Sequence, residues 1–358
     1  MKALIAAGGR GTRLRPITYS MNKHLIPVAN IPLIVWAIQK VVEAGITDIA
    51  ININEGDTEL PKAIGDGSTW NVKITYIEQV GGALGVAHVI KNAKNWLGKD
   101  SFVFYLGDNI VLGSINPFVA AFQEQHANAF LALTVVPDPE RFGVPQINSA
   151  GEIERVIEKP SNPPSQFAVT GIYCFDQTVH DAIDTLHASN RGELEISDTI
   201  TAVIAQGGKV KYQIVEGWWK DTGKPYDLLE GNRLLLESMS DDRAQAKMIE
   251  DGVDIQGKVQ LGNGAQLLGK TIIRGPVSIG KNAIIADSYI GPYTSIGHGT
   301  EIDGGEIENS IIMDDTDIQC STRIVDSIIG HNVTIQNAHM TKPSGHKLMI
   351  GENSSIEL

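Results

Sequence analysis

A short repeat fills the last third of the chain and limits what that part can fold into. An isoleucine or leucine recurs there at every fifth or sixth position, often with glycine directly after it, as in Ile279–Gly280. One inward apolar residue per six-residue step is typical of a hexapeptide parallel β-helix, in which each face stacks one strand on the next. The inward positions are Ile255, Leu261, Leu267, Ile273, Ile279, Ile285, Ile290, Ile296, Ile302, Ile307, Ile312, Ile318, Ile324, Ile329 and Ile335.

The first two thirds have a different pattern, in which short apolar strands alternate with predicted helices. This alternation predicts an open, mixed but mainly parallel Rossmann-like α/β sheet. Ser101–Leu106 is apolar throughout, which indicates a strand buried on both faces. Asn30 is a candidate cap for the first helix, with Pro32 in its first turn. The strands are expected at Lys2–Ala7, Asp48–Ile53, Val72–Ile77 and Ser101–Leu106, with extra strands between Ala129 and Phe175.

The composition changes at about residue 240, where a polar stretch follows the last helical pattern. A chain of 358 residues is long enough for two or three domains. We therefore expect a catalytic domain over 1–240, a connector over 241–252 and the β-helix over 253–358.

The loop Gly8–Lys23 directly after the first strand concentrates glycine and positive charge. Glycines allow backbone N–H groups to approach a ligand closely, and arginine suits phosphate oxygens. The loop is therefore predicted to bind polyphosphate. The four residues GlyGlyArgGly alone would be equally consistent with a solvated loop. Its basic residues are Arg10, Arg13, Arg15 and Lys23.

Charge and composition exclude several classes of function. The formal net charge is −13, which argues against general binding to nucleic acid or anionic membranes. Two cysteines, Cys174 and Cys320, make a disulfide framework or a cysteine zinc site improbable. Neither a signal peptide nor an apolar run of about 20 residues is recognised, so a cytoplasmic location is the expectation.

Ordered motifs across 1–240 resemble the sugar-1-phosphate nucleotidyltransferases, and most closely the long-form glucose-1-phosphate thymidylyltransferases. The resemblance implies a nucleotidyltransferase domain followed by a left-handed parallel β-helix of hexapeptide repeats. The motifs are GlyGlyArgGlyThrArgLeuArgPro (8–16), AsnLysHisLeuIleProValAlaAsn (22–30), GlnValGlyGlyAlaLeuGlyValAlaHis (79–88), LeuGlyAspAsnIle (106–110), ArgPheGlyVal (141–144), IleGluLysPro (157–160), ValThrGlyIleTyr (169–173), ArgGlyGluLeuGluIleSerAsp (191–198) and TrpTrpLysAspThrGly (218–223).

The reaction implied is nucleotidyl transfer from dTTP to glucose 1-phosphate, giving dTDP-glucose and pyrophosphate with Mg²⁺ as cofactor. Such an in-line displacement needs positioning and charge neutralisation more than covalent catalysis. A phosphate monoester is largely ionised near pH 7, so no general base is required. This fits a sequence that shows no Ser-His-Asp or Cys-His arrangement.

The resemblance also implies site residues. Arg13, Lys23 and Asp108 would be catalytic, with Arg13 on the departing phosphates and Lys23 between the α-phosphate and the sugar phosphate. Asp108 and Asp221 would hold the metal. The nucleotide would be bound by Gly8, Gly9, Gly11, Thr12, Arg13, Gln79, Gly85 and Leu106. The sugar phosphate would be bound by Gly143, Glu158, Lys159, Val169 and Gly171.

Alternatives remain open from the residues alone. Relatives that use UTP share much of this pattern, and two departures, ValGlyGlyAlaLeu (80–84) and GlyValProGln (143–146), bear on base and sugar choice. An acyltransferase at the β-helix would need an active histidine, for which His298 and His331 are the candidates, although both are expected at exposed turns. A non-catalytic scaffold is a third possibility. The open ends and flat faces of a β-helix predict a homo-oligomer.

Overall fold

The computed structural model describes residues 1–215, 219–337 and 348–357, so Trp218 of the 218–223 motif lies outside the described residues. The chain forms two compact units. The first contains Met1–Arg10, Asn22–His24 and Leu33–Asp221. The second contains Gly11–Met21, Leu25–Pro32 and the described residues from Thr222 onward. The units therefore do not follow the single cut predicted at residue 240.

The first unit is organised around one mixed sheet. Its strands alternate in sequence with helices, as the apolar pattern predicts. The strands up to Asp221, with the short β2 and β3 belonging to the second unit, are β1 (Lys2–Ala6), β2 (Pro27–Val28), β3 (Ile31–Pro32), β4 (Asp48–Asn54), β5 (Lys73–Gln79), β6 (Phe102–Leu106), β7 (Asn109–Val111), β8 (Ala129–Val135), β9 (Gly143–Ile147), β10 (Ile153–Glu158), β11 (Phe167–Phe175), β12 (Val210–Ile214) and β13 (Trp219–Asp221).

Within the described residues this sheet has the strand order β12-β8-β11-β6-β1-β4-β5. β1 pairs in parallel with β4 and β6, and β4 pairs in parallel with β5. β11 is antiparallel to both β6 and β8, which makes the sheet mixed. Phe102, Val103, Phe104 and Tyr105 of β6 are all fully buried, which confirms the expectation drawn from the apolar run. The predicted α/β class is also confirmed.

The helices follow the predicted apolar spacing closely. In the first helix, Leu33, Ile34, Ala37, Ile38 and Val41 fall on one buried face. The helices are α1 (Leu33–Glu43), α2 (Glu59–Ile64), α3 (Val86–Asn92), α4 (Lys94–Leu97), α5 (Asn116–Gln125), α6 (Val179–Asp184), α7 (Ile196–Ala205) and α8 (Pro225–Ser238), of which α8 belongs to the second unit. The described residues contain no helix long and apolar enough to cross a membrane.

The second unit is dominated by a parallel β-helix, as the repeat predicts. Its strands form three stacked parallel sheets, ordered β14-β17-β20-β23-β26-β29, β15-β18-β21-β24-β27 and β16-β19-β22-β25-β28 among the described residues. They are β14 (Met248–Ile249), β15 (Asp254–Gln256), β16 (Val259–Leu261), β17 (Gln266–Leu268), β18 (Ile272–Arg274), β19 (Val277–Ile279), β20 (Ile284–Ala286), β21 (Tyr289–Ile290), β22 (Thr294–Ile296), β23 (Glu301–Asp303), β24 (Glu306–Glu308), β25 (Ile311–Ile312), β26 (Asp317–Gln319), β27 (Arg323–Val325), β28 (Ile328–Ile329) and β29 (Thr334–Gln336).

The predicted inward residues form a ladder on each face. Ile255, Ile273, Ile290, Ile307 and Ile324 are register partners along one sheet. Residues in the middle of this ladder, such as Ile290, are fully buried, whereas Ile255 and Ile324 near the ends are only partly buried. Each buried isoleucine stabilises the folded chain by about 1.5–3 kcal/mol, so the ladders account for the stability of this region.

Two expectations are wrong. The predicted connector, 241–252, contains β14, which pairs with β17 as the first rung of its sheet. Asn30 does not cap α1: the helix begins at Leu33, and the Asn30 side chain donates hydrogen bonds to Ser278 and Ile296 instead. Asn and Pro are favoured both at helix starts and in turns, so the sequence near residue 30 does not distinguish the two.

Candidate active site

Several candidate residues follow strands that run in parallel. β1, β4, β5 and β6 run in the same direction, so their carboxyl ends share one edge of the sheet. Gly8 follows β1, Asn54 and Gln79 end β4 and β5, and Asp108 comes two residues after β6. The parallel topology thus brings residues about 100 positions apart to one edge.

The Gly8–Gly9 turn lies against the polar ends of the neighbouring strands. Gly9 has a φ of 111°, which favours glycine, and its N–H donates to Asn54 Oδ1 over 2.9 Å. Asn54 Nδ2 donates back to the Gly9 carbonyl over 3.1 Å. A Cβ on Gly8 would come within 2.8 Å of Gln79 Oε1. Asn54 therefore fixes the Gly9 backbone, and Gln79 packs closely against Gly8.

Asn52 adds an unusual polar atom to this edge. Its side chain is fully buried and donates to the Ile77 carbonyl, while its Oδ1 has no partner among the described residues. A Cβ on Gly8 would lie 3.3 Å from that oxygen. An unpaired buried acceptor costs about 1–3 kcal/mol, so it is typical of a ligand-binding edge.

The predicted base-reading turn, 79–85, is anchored at its far end. Leu194 N–H donates to the Leu84 carbonyl over 2.7 Å, and Ala87 N–H donates to the Leu194 carbonyl over 3.0 Å. Gly85 has a φ of 102°, and a Cβ there would lie 2.5 Å from the Leu194 carbonyl oxygen. Only glycine fits this position. Gln79 is buried, and its Nε2 lies 3.3 Å from His88 Nδ1.

Lys23 and Asp108 form an ion pair at the end of β6. Their side chains are 10% and 23% exposed. Burial alone would raise the pKa of Asp108, but the charge of Lys23 and hydrogen bonds from Lys23 and Asn109 hold it well below its usual range. Burial lowers the pKa of neighbouring His24 to about 4, against a weaker opposing effect of Asp108. At neutral pH Asp108 is therefore ionised and His24 is neutral.

Asp221 reaches the same edge through a second, short sheet. β13 is antiparallel to β7, with Asp221 opposite Asn109, the residue directly after Asp108. Asn109 donates to Asp108 Oδ1 over 2.9 Å and accepts from Trp219 Nε1 over 2.7 Å. The two candidate metal ligands are therefore neighbours across this strand pair, although they are far apart in sequence.

The residues predicted for the sugar phosphate form two groups. Gly143 is opposite Glu158 in the β9–β10 hairpin, and a Cβ on Gly143 would lie 2.7 Å from Ser197 Oγ. Ser197 Oγ donates to Glu158 Oε2 over 2.7 Å. In the second group, a Cβ on Gly171 would lie 2.8 Å from the Leu106 side chain, so Gly171 and Leu106 are in close contact.

A charged cluster surrounds Glu158. Arg191 lies 3.6 Å from Glu158 and donates to Glu195 over 2.8 Å. Lys159, at 3.5 Å from Glu158, has a φ of 44° and a half-exposed side chain. Val169, in contrast, is buried in the sheet core, so its side chain contributes packing.

The remaining candidates belong to the second unit and are described within it. Gly11 has a φ of 56° and precedes a 3-10 turn, Thr12–Leu14. Thr12 and Arg13 are exposed, while Thr18 donates to the Gly11 carbonyl over 2.7 Å. Arg15 stacks on the Tyr19 ring at 4.7 Å, so it has a packing role in this loop.

The two candidate histidines, His298 and His331, hydrogen-bond to neighbouring turns of the β-helix. His298 Nδ1 accepts from the Lys281 N–H over 2.8 Å, and His331 Nδ1 accepts from the Asp314 N–H over 3.1 Å. His298 is exposed. Both rings thus stabilise the stacking of successive turns.

Comparison with known proteins places the first two thirds of the chain in a family. The model described as Nucleotidyl transferase matches residues 2–238. The chain belongs to this family. The predicted nucleotidyltransferase family is therefore confirmed. A second model, described as GMPPB C-terminal domain, matches residues 273–357.

Relatives match this nucleotidyltransferase over its full length. The chain is 41% identical to a glucose-1-phosphate thymidylyltransferase of Streptomyces antibioticus, covering 100% of this chain and 99% of that protein. It is 42% identical to the low-salt glycan biosynthesis nucleotidyltransferase Agl11 of Haloferax volcanii, covering 100% of both. A crystal structure from Bacillus anthracis, assigned as a glucose-1-phosphate thymidylyltransferase in complex with sucrose, is 38% identical with a TM-score of 0.63, covering 68% of this chain and 98% of that chain.

Four side chains of the site are not among the residues predicted from the sequence: Asn52, Asn54, Asn109 and Ser197. A signal for the first two exists, because IleAsnIleAsn (51–54) places two polar side chains at alternate positions of an otherwise apolar strand. Asn109 directly follows a candidate ligand, but nothing in its position indicates that it joins Trp219 to Asp108. Ser197 lies within the motif 191–198, but its contact with Glu158 depends on tertiary packing and has no local signal.

Proposed function

We propose that this enzyme transfers a thymidylyl group from dTTP to glucose 1-phosphate, giving dTDP-glucose and pyrophosphate. One observation carries the proposal: the partly buried ion pair of Lys23 and Asp108 lies at the strand edge beside Asp221. Such a cluster of one cation and two carboxylates suits a reaction that gathers phosphate charge. The names of the full-length relatives support the choice of base and sugar.

The chemistry balances without a catalytic base. An oxygen of the sugar phosphate attacks the α-phosphorus of dTTP, and the bond from that phosphorus to the bridging oxygen of the β-phosphate breaks. Pyrophosphate leaves with the electron pair. The attacking monoester is already ionised, so the protein has to position the two phosphates and neutralise their charge.

Lys23 is proposed to hold the α-phosphate and the sugar phosphate together, since its pairing with Asp108 fixes a cation at the end of β6. Arg13 is proposed to bind the departing phosphates. The glycine-rich turn would present its N–H groups to the triphosphate. The residues proposed for these contacts are Gly8, Gly9, Gly11 and Thr12.

The donor set fits a divalent cation, and Mg²⁺ is the one we propose. Asp108 is held ionised, and Asp221 is opposite its neighbour, so these two carboxylates would supply hard oxygen ligands. The residues that the structure describes contain no cluster of three or more metal-ligating side chains. Two carboxylates leave room for phosphate oxygens and water, as Mg²⁺ prefers. The ion would neutralise charge on the triphosphate.

Gln79, Gly85 and Leu106 are proposed to bind the nucleoside, and Gly143, Glu158 and Gly171 to frame the sugar. Lys159 would contact the sugar phosphate, and Val169 would support the pocket from the core. Each of these glycines lies where a Cβ would collide with a neighbour, so close backbone approach is a common feature of both subsites.

The test is a substrate matrix. Purified full-length enzyme with Mg²⁺ is mixed with dTTP or UTP and each of several sugar 1-phosphates, and pyrophosphate and nucleotide sugar are measured together. We expect the highest kcat/KM for dTTP with glucose 1-phosphate. Omission of Mg²⁺ with excess chelator should abolish turnover.

Two outcomes would change the proposal. A higher kcat/KM with UTP would assign a uridylyltransferase, and no pyrophosphate with any pair would leave the scaffold interpretation. The acyltransferase interpretation has less support, because both of its candidate histidines already accept backbone hydrogen bonds through Nδ1.

We also propose that the chain forms a homo-oligomer. Among the described residues, β14 and β27 are the outermost strands of their sheets and carry exposed apolar side chains, including Met248, Ile249 and Val325. Unpaired strand edges with apolar side chains favour self-association. Light scattering that gives a monomer mass at micromolar concentration would contradict this.

A further inference from the structure

One buried asparagine in the second unit links the β-helix to a segment that follows the proposed catalytic lysine. Asn232 lies in α8 and is fully buried. Its Oδ1 accepts from the Ala29 N–H and from Ser295 Oγ, each over 2.8 Å. Its Nδ2 donates to the Tyr293 carbonyl over 2.9 Å. A single amide therefore joins α8, a β-helix rung and the Leu25–Pro32 segment.

We propose that Asn232 is a positioning residue for nucleotidyl transfer, and that the β-helix is needed for the rate of catalysis as well as for assembly. The inference rests on the proposed function, because it assigns Lys23 to the reacting phosphates. It adds a catalytic role to the assembly role proposed for the β-helix.

The segment held by Asn232 needs an external anchor. Ala29 and Asn30 have φ values of 51° and 61°, in the left-handed region that non-glycine residues seldom adopt. Two adjacent residues in this region form a turn that the local sequence alone disfavours, especially at alanine. Hydrogen bonds from outside the turn offset that cost.

A second contact supports the same turn from the same side. Asn30 Nδ2 donates to Ser278 Oγ over 3.0 Å and to the Ile296 carbonyl over 2.9 Å. Ser278 and Ile296 belong to β19 and β22, which are neighbouring strands of one β-helix face. The turn is therefore attached to two successive rungs.

The anchored segment is continuous with Lys23. Leu25, where the segment begins, is two residues after Lys23, and α1 begins at Leu33, directly after the segment ends. A linker of one residue leaves little freedom between an anchored segment and the lysine. Since reacting groups must be held within a fraction of an ångström, release of the segment is expected to lower kcat.

The network is also more specific than simple packing of α8 against the β-helix requires. A packing contact between α8 and the β-helix would be served by apolar side chains, which need no partners. Here a buried amide has its acceptor shared between Ala29 and Ser295, and Asn30 adds two more hydrogen bonds. Polar networks of this kind specify one geometry.

The test compares Asn232→Ala with Ile318→Ala in the full chain. Ile318 is fully buried in a different part of the β-helix, in β26, so its truncation weakens the repeat without touching the Leu25–Pro32 segment. Asn30→Gly serves as a second variant that removes the side-chain contacts while tolerating the positive φ. For each protein, kcat and KM for dTTP are measured, with hydrogen exchange of peptides covering 25–32.

We expect Asn232→Ala to lower kcat about tenfold or more and change KM less than about threefold, because the effect falls on positioning and not on ground-state binding. Hydrogen exchange in 25–32 should rise in Asn232→Ala and Asn30→Gly. Ile318→Ala should leave kcat and this exchange near those of the unmodified protein at a temperature at which it is folded.

The inference is overturned if Asn30→Gly and a folded Asn232→Ala leave kcat and exchange in 25–32 unchanged, or if Ile318→Ala lowers kcat equally. If Asn232→Ala does not fold, Asn30→Gly decides alone. Loss of the proposed function is distinguishable, because the unmodified enzyme would then be inactive. In that case exchange in 25–32 still tests the anchor, and unchanged exchange rejects it.

Discussion

The sheet of the first unit and the β-helix of the second use buried polar side chains in opposite ways. In the β-helix, Thr271, Ser288 and Ser310 each donate to a backbone carbonyl of a nearby turn, over 2.6–2.8 Å. At the strand edge of the sheet, Asn52 retains an acceptor without a partner among the described residues.

This difference shows which part of a fold keeps polar groups that can bind a ligand. The repeat satisfies most of its buried hydroxyl groups within neighbouring turns, with Thr294 Oγ1 as an exception among the described residues, and its stability adds up rung by rung. A parallel sheet instead ends its strands at one edge and leaves polar groups there that secondary structure cannot use. The comparison predicts that substitutions in the two regions separate into effects on rate and effects on stability.

The largest effect is expected at the sheet edge. Asp221→Asn should lower kcat about 10²–10³-fold, since it replaces a charged carboxylate ligand near the reacting phosphates by a neutral amide. Asp181→Asn, on an exposed position of α6, is the matched control and should keep full activity. Initial rates of pyrophosphate release decide, and equal rates for the two variants would remove Asp221 from the site.

In the β-helix the expected effect is on stability. Ile290→Ala, in the middle of a ladder, should lower the free energy of unfolding by about 2–5 kcal/mol, because it leaves a cavity between packed rungs. Ile324→Ala, on the same ladder but only partly buried, should cost clearly less. Denaturant titration measures both, and a larger loss for Ile324→Ala would contradict the ladder account.

A smaller effect on substrate binding is expected at Asn54. Asn54→Leu removes both hydrogen bonds to Gly9 and should raise KM for dTTP about tenfold, because the glycine turn loses its support. Asn92→Leu, at the end of α3, is the matched control. If KM stays the same in Asn54→Leu, the turn does not depend on this contact.

The smallest effect is expected at the β-helix turns. His298→Ala should lower the free energy of unfolding by about 0.5–1.5 kcal/mol, the usual contribution of one hydrogen bond, and leave nucleotidyl transfer intact. Thermal unfolding and initial rates are measured on the same sample. Loss of an acyl-transfer activity in this variant would instead support the acyltransferase interpretation.

The sequence predicts the β-helix in detail because one rule repeats. The five- or six-residue spacing identifies every inward residue from Ile255 to Ile335, and these pair as predicted in the three ladders. The prediction is wrong at Met248–Ile249, because the polar residues around this rung look like a connector although Ile249 stands six residues before Ile255.

The site is predictable only as far as local motifs extend. The glycines after β1 and the aspartate after β6 are recognisable because strand ends carry them. The pairing of Lys23 with Asp108 spans 85 positions, and no periodicity reports such a contact. Asn30 was misassigned because its partners, Ser278 and Ile296, are more than 240 positions away.

A double-mutant cycle on Lys23 and Asp108 tests the central claim most directly. The kcat of Lys23→Ala, Asp108→Asn and the double variant is measured with dTTP and glucose 1-phosphate. If the two side chains act as one charged unit on the reacting phosphates, each single variant should lose about 10²–10³-fold and the double variant little more. Full activity in either single variant, or losses that multiply in the double variant, would contradict the account.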